Sequence, residues 1–262
     1  MTPGRAQRHR PTLVLLGLMV VSLAGLLLVP PIPQDQSYHH FADQRTLLGV
    51  PNFWNAVSNL PFIAIGAAGL WQFHRDPAIV VIFLGIFLTG FGSSYYHWNP
   101  TDGTLFWDRL PITLCFMAIL AVMIEERVSA RAGAVLLWPL LAVGVLSLLL
   151  WRWTDDLRLY AWVQFFPCLA LPVLFLLVPP KYTGTSYWII AAGFYALAKL
   201  LELYDRAVHS AGAILSGHTL KHLAAAAACF AVLRYFQTRR PIAAEMSRQA
   251  LGEHKTWENN SR

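Results

Sequence analysis

The chain has 262 residues, of which 56% are hydrophobic and only 13% charged, whereas an ordinary soluble domain carries about a quarter charged residues. That balance excludes a soluble fold, and the net charge of +6 does not indicate a nucleic-acid partner, because most Lys and Arg lie in short segments between apolar runs and so report membrane orientation. Cys115, Cys168 and Cys229 all sit in apolar stretches without CxxC spacing, which excludes a disulfide framework and a thiolate zinc site and marks them as packing residues.

A bilayer core about 30 Å thick needs roughly 20 apolar residues of helix. The sequence supplies eight such stretches, near 12–30, 53–74, 78–97, 104–124, 132–151, 159–178, 184–204 and 217–236. Runs this continuous exclude the alternating pattern of a barrel. The predicted fold is therefore all-α, a polytopic membrane helix bundle. The first stretch follows Arg5, Arg8 and Arg10 and leads into Val29-Pro30-Pro31-Ile32-Pro33 without a small-residue cleavage site, so a retained anchor is expected rather than a signal peptide. Residues 1–33 are read as a cytoplasmic stub and extra helix, 34–236 as one membrane domain without repeats, and 237–262 as a polar, poorly ordered cytoplasmic tail.

With the amino terminus inside, the inner segments collect Arg75, Arg127, Arg131, Lys181, Arg234, Arg239 and Arg240, and the outer ones Asp35, Asp43, Asp102, Asp155, Asp156 and Asp205. This obeys the positive-inside rule. It predicts a multi-pass membrane protein with both termini cytoplasmic; in a bacterium the outer face is the periplasmic side of the inner membrane.

Polar groups inside membrane helices are expensive and mark function. On the second span Asn55, Ser58 and Asn59 form a stripe expected to make interhelical hydrogen bonds rather than to touch substrate. Ser93 and His97 end the third span four residues apart, on one helix face and about 6 Å apart along the axis. Asp108 opens the fourth span after the short turn Asn99-Pro100-Thr101-Asp102-Gly103. Lys199, Glu202 and Asp205 share one side of the seventh span, where an ion pair is the safer reading and support for the histidines the sharper one. His218 and His222, again four apart, open the last span. The predicted topology brings three imidazoles and a carboxylate to one outer level of the membrane.

Three histidines with an open fourth position are the ligand set of a catalytic zinc, and an HxxxH pair on a helix is a common way to supply two of them. Zinc acidifies its water and polarises a carbonyl, which a carboxylate base such as Asp108 can exploit. Ser93 is placed to donate to the oxygen that becomes negative when a carbonyl is attacked. Each residue also has a structural reading: hydrogen-bonded interfacial histidines, an Asp108–Arg109 surface pair at a helix start, and a serine bonded back to its own helix. The residues alone leave both readings open.

The segment Asn52-Phe53-Trp54-Asn55-Ala56-Val57-Ser58-Asn59-Leu60-Pro61-Phe62, the run from Gly92-Ser93 to His97 followed by Asp108-Arg109-Leu110-Pro111, and the His218 to His222 pair resemble the alkaline ceramidase family, within a wider group of seven-helix membrane hydrolases that includes the adiponectin receptors. The resemblance runs from about Tyr38 to Phe236 and implies a seven-helix core, here with an additional amino-terminal transmembrane helix. It implies zinc on His97, His218 and His222, Asp108 activating the water and Ser93 stabilising the oxyanion. It also implies cleavage of the amide of ceramide, or of a similar N-acyl lipid arriving from the bilayer, to release fatty acid. Eukaryotic members hold calcium on an acidic segment before the Phe-Trp-Asn; here that segment reads Gln36-Ser37-Tyr38-His39-His40-Phe41-Ala42-Asp43, with Asn52 in place of a glutamate, so bound calcium is doubtful. His39 and His40 are expected to cap the outer loop rather than to ligate metal. Trp98, Trp107, Trp151, Trp153 and Trp162 are expected to form an interfacial belt. The competing reading is a non-catalytic, zinc-stabilised receptor or lipid-binding protein; a transporter lacks the broken-helix or repeat signs it needs.

Overall fold

The computed structural model describes residues 5–212 and 214–244, and among them all regular structure is helical. The polar tail expected after Pro241 lies, from residue 245 onward, outside the described residues. Helices α1 (Arg5–Leu28), α2 (Phe53–Val57), α3 (Leu60–Gln72), α4 (Pro77–Trp98), α5 (Asp102–Arg127), α6 (Ala130–Thr154), α7 (Arg158–Leu177), α8 (Thr185–Leu203), α9 (Asp205–Ser210) and α10 (Gly217–Thr238) follow one another in the chain, α1 and α2 joined by a long loop over 29–52 and the others by short links. Seven stretches are long and apolar enough to cross a membrane, the α2–α3 pair counting as one. Helix α10 has the length, 22 residues, but falls short in apolarity because His218, Lys221, His222 and Arg234 interrupt it. The chain is a multi-pass membrane protein.

Helix α1 stands apart from the core bundle. No residue of its apolar stretch is fully enclosed. It leans on α7 through Leu15, Leu18 and Met19, which touch the Leu120–Phe166–Ala170 cluster, and Ser22 Oγ accepts a 2.9 Å bond from Trp162 Nε1.

The second span, read from sequence as one run, is broken at Ser58 and Asn59. Both side chains turn back on the preceding turn, Ser58 Oγ donating to the Asn55 carbonyl at 3.0 Å and Asn59 Nδ2 to the same carbonyl at 2.8 Å. Such local bonds compete with the helix ladder. Pro61 then has no N–H to offer the Val57 carbonyl, so the helix restarts as α3 with proline in its first turn.

A large apolar core fills one half of the bundle, built from Ile82, Phe83 and Ile86 on α4, Ala118 and Ala121 on α5, Trp188 on α8 and Phe236 on α10. That end is closed by buried Glu126, which accepts from the Tyr235 hydroxyl and pairs with Arg239. A second cluster of Phe41, Tyr96, Leu105, Leu148, Trp151 and Tyr160 occupies the opposite end. All the polar residues singled out above gather around it or beside it.

Candidate metal centre

Helix α5 must start promptly if Asp108 is to face the end of α4. A reciprocal capping box does this: Thr104 N–H donates to Thr101 Oγ1 at 3.2 Å and Thr101 N–H to Thr104 Oγ1 at 3.0 Å. Helices α4 and α5 then close tightly, since a side chain on Gly92 would place its Cβ 2.2 Å from the Trp107 carbonyl oxygen. That carbonyl is free within its own helix because residue 111, four positions on, is a proline. A backbone Cα–H can therefore lie against it. The approach lays Gly92 against the Asp108 backbone and so brings Ser93, the next residue, beside Asp108, whose Oδ1 is enclosed without a hydrogen-bond partner.

Helix α10 begins under three constraints. Ser216 Oγ caps it by accepting from Thr219 N–H at 3.2 Å. Asp205, just past the end of α8, accepts the His218 N–H at 2.7 Å through Oδ1 and the Ala42 N–H at 2.9 Å through Oδ2, a carboxylate at the positive end of the helix. Thr219 Oγ1 donates to Asn55 Oδ1 at 2.7 Å. Asp205 thus fastens the helix bearing two histidines instead of joining an ion pair with Lys199. The other half of that expected cluster does pair: Glu202 binds Lys199 at 2.9 Å and, in addition, Lys221 at 2.8 Å.

His97, His218 and His222 come together from α4 and α10, with donor atoms all within 4.8 Å of one another. They are 1%, 5% and 5% exposed. Ring centroids are 4.9 Å apart in each of the three pairs, and the Phe41 ring roofs His97 and His218 at 4.6 and 4.7 Å. Ser58 decides the state of His222. Its single hydroxyl proton goes to the Asn55 carbonyl, so at 2.8 Å from His222 Nδ1 it accepts, and Nδ1 carries the ring proton. The His222 Nε2 lone pair is then left facing His97 Nε2 at 3.3 Å. Two nitrogens each about 2.0–2.1 Å from one tetrahedral ion lie about 3.3–3.4 Å apart. His218 Nε2 is enclosed with no hydrogen-bond partner. Three neutral imidazole donors, one tautomer fixed from outside and two nitrogens unsatisfied, His97 Nδ1 being enclosed without a partner as well, fit a zinc ion.

Asn55 and Ser58 make the interhelical bonds expected of the stripe, to Thr219 and His222 on α10, whereas Asn59 donates only to carbonyls of its own preceding turn; that the partner of Ser58 is a histidine its place in the stripe did not reveal. Asn52 has left-handed backbone at φ 48°, which asparagine tolerates. Its Nδ2 donates to the His97 carbonyl at 2.9 Å, filling one of the acceptors left open at the end of α4. His39 latches the outer loop to the bundle, with Nδ1 2.9 Å from the Tyr96 hydroxyl and Nε2 3.0 Å from Asp102 Oδ1. The Asp43 carboxylate is taken up by Arg45, at 2.8 Å from Nε and 2.6 Å from Nη2, and the guanidinium holds its pKa below the usual carboxylate range. With Asp43 so engaged and Asn52 donating, the loop offers no cluster of free carboxylates to a hard cation.

The aromatic belt holds for Trp98, Trp107 and Trp153, which are exposed. It fails for Trp151, 1% exposed, which stacks on Arg109 at 4.6 Å, and for Trp162, which lies between Phe166 and α1. Nor is Arg109 a surface partner of Asp108: it is buried and points into that aromatic cluster.

No curated protein matches the chain. The Ceramidase family model matches residues 48–180, a stretch that carries Ser58, Ser93, His97 and Asp108 and ends before the two histidines that the packing of α10 returns to His97. Half of the 262 residues are covered, and the chain belongs to the Ceramidase family of membrane hydrolases.

Proposed function

We propose that the chain is a zinc-dependent amidohydrolase that cleaves the amide of ceramide or a similar N-acyl lipid within the outer half of the bilayer. The observation that carries this reading is the buried meeting of His97, His218 and His222, with the His222 tautomer set by Ser58, one helix turn from buried Ser93 and near the unpartnered Asp108 Oδ1. Bound by the three imidazoles, zinc would supply a Lewis acid and an acidified water. Asp108 Oδ1, which has no hydrogen-bond partner, takes the proton from the attacking water and returns it to the departing amine. The Ser93 hydroxyl donates to the carbonyl oxygen as it gains charge. Water adds to the carbonyl carbon, the C–N bond breaks, and a fatty acid and an amine leave.

A lipid reaches this site sideways. An apolar groove lined by Leu88, Phe91, Gly92, Tyr95, Trp107 and Leu110 opens on the lipid-facing side of α4 and α5, at the level of Ser93 and Asp108. Positive residues at the opposite end of the spans support a site toward the outer face.

Purified protein carrying stoichiometric zinc should release fatty acid from an N-acyl lipid. Asp108→Asn should keep the zinc and lower kcat by about 10²–10⁴-fold. A metal that only ties helices together, as in a receptor without turnover, predicts no hydrolysis in either protein.

A further inference from the structure

Arg109 is buried without a counter-ion. Its residue is 7% exposed and its Nη1 is enclosed with no hydrogen-bond partner. Among the described residues no carboxylate pairs with it. Lys199 and Lys221 share Glu202, Glu202 also accepts the Tyr38 hydroxyl at 3.1 Å, and the neighbouring Asp108 forms no salt bridge with it. What surrounds the guanidinium is aromatic: the rings of Trp151, Tyr160 and Tyr38 lie 4.6, 4.7 and 5.6 Å from its central carbon.

Ring faces offset part of a buried positive charge but accept few of the five N–H donors that a guanidinium presents and cannot withdraw. A guanidinium held by stacking, with a donor left open, is built for a planar or tetrahedral anionic oxygen group, which it binds through two N–H groups at once. The cage belongs to the same cluster as Phe41 and Tyr96, and Phe41 touches both His97 and His218. The Arg109 cage and the histidines thus share a neighbour, the Phe41 ring. An alkyl chain gains nothing beside Arg109, Lys199 and Lys221, and the apolar groove lies on the other side of α5, along Trp107 and Leu110. The side of the amide that turns toward Arg109 is the amine portion.

We infer that Arg109 receives an anionic oxygen group on the amine portion of the substrate, so that the enzyme prefers an N-acyl lipid bearing a carboxylate, phosphate or sulfonate there to its neutral counterpart. This rests on the amidase reading above and narrows its substrate class.

The test uses the full chain, zinc-loaded in non-ionic detergent, with N-oleoylglycine as the acidic amide, N-oleoylethanolamine as the neutral one, and oleate. The wild type should cleave N-oleoylglycine with at least about tenfold higher kcat/KM, in keeping with one charge-assisted pair of hydrogen bonds. In Arg109→Gln the ratio between the two amides should fall to near one, chiefly through the KM of the acidic amide, and Arg109→Lys should lie between. A general loss of folding lowers both rates and leaves the ratio alone. Independently of turnover, N-oleoylglycine should raise the unfolding midpoint of the wild type more than N-oleoylethanolamine does, and not that of Arg109→Gln. If neither amide is cleaved but this Arg109-dependent shift persists, the anion site stands and the amidase reading falls. Equal handling of the two amides by the wild type overturns the inference while leaving the amidase reading intact, as does a preference that survives in Arg109→Gln. An equal, Arg109-dependent shift with oleate also overturns it, by assigning the site to the released acid.

Discussion

Ser58 governs the donor set without belonging to it. Its hydroxyl links the Asn55 carbonyl to His222 Nδ1, so the imidazole can present only Nε2 to an ion. Such an outer hydrogen bond fixes both tautomer and ring orientation. Ser58→Ala should weaken zinc binding by about 10–100-fold, read by competition with a chromophoric chelator; unchanged affinity would mean that packing alone orients His222. Ser93 with His97, and His218 with His222, were legible as pairs because each lies four residues apart on one helix face, a distance that helix geometry fixes; the meeting of His97 with the other two spans 125 positions to His222 and followed only from the predicted depth of the helix ends. Ser58 and Asp205 were not legible. Ser58 meets its histidine 164 positions along the chain, and Asp205 acts on a backbone N–H and an outer loop; spacing within one helix contains neither. Arg109 misled for a related reason, since adjacency to Asp108 suggested a pair while successive helix residues point about 100° apart.

At the scale of helices, the α4–α5 contact depends on a glycine meeting a carbonyl that a proline has released. Gly92→Val would drive its Cβ into the Trp107 carbonyl, 2.2 Å from the ideal position, and neither backbone can yield without moving Ser93 away from Asp108. The expected cost is about 1–3 kcal/mol of stability, typical of overpacking, together with a loss of hydrolysis larger than the change in unfolding temperature explains. Gly193→Val on α8, where nothing lies within 4 Å of an added Cβ, serves as the control and should leave both near wild type. Equal effects of the two substitutions would remove the reason given for the α4–α5 approach. The spans themselves were readable from apolar runs; in the structure Asp76, Thr101, Ser129 and Ser216 cap the starts of helices α4, α5, α6 and α10. The break at Ser58 and Asn59 was not readable as such, because three polar residues before a proline fit a stripe on one helix as well as the end of one.

Across the whole molecule, function follows from where the polar groups are allowed to sit. One half is packed with aliphatic and aromatic side chains and closes on Glu126 and Arg239, and the histidine cluster lies at the opposite end beneath the loop that His39 and Phe41 hold down. The all-α bundle and the level of the site were legible because a bilayer permits few solutions: helices of fixed length, with the costly groups at one depth. What a one-dimensional pattern does not carry is the azimuth of each helix, which decides that Trp151 is a cage wall rather than a belt residue, and that α10 turns both of its histidines toward His97. That convergence on a single ion can be measured directly, by metal analysis of the purified full chain beside His97→Ala and His218→Ala. One zinc per chain, falling to a small fraction in both variants together with hydrolysis, is the predicted result. Full hydrolytic activity in metal-free protein, or full zinc occupancy in both variants, would contradict it.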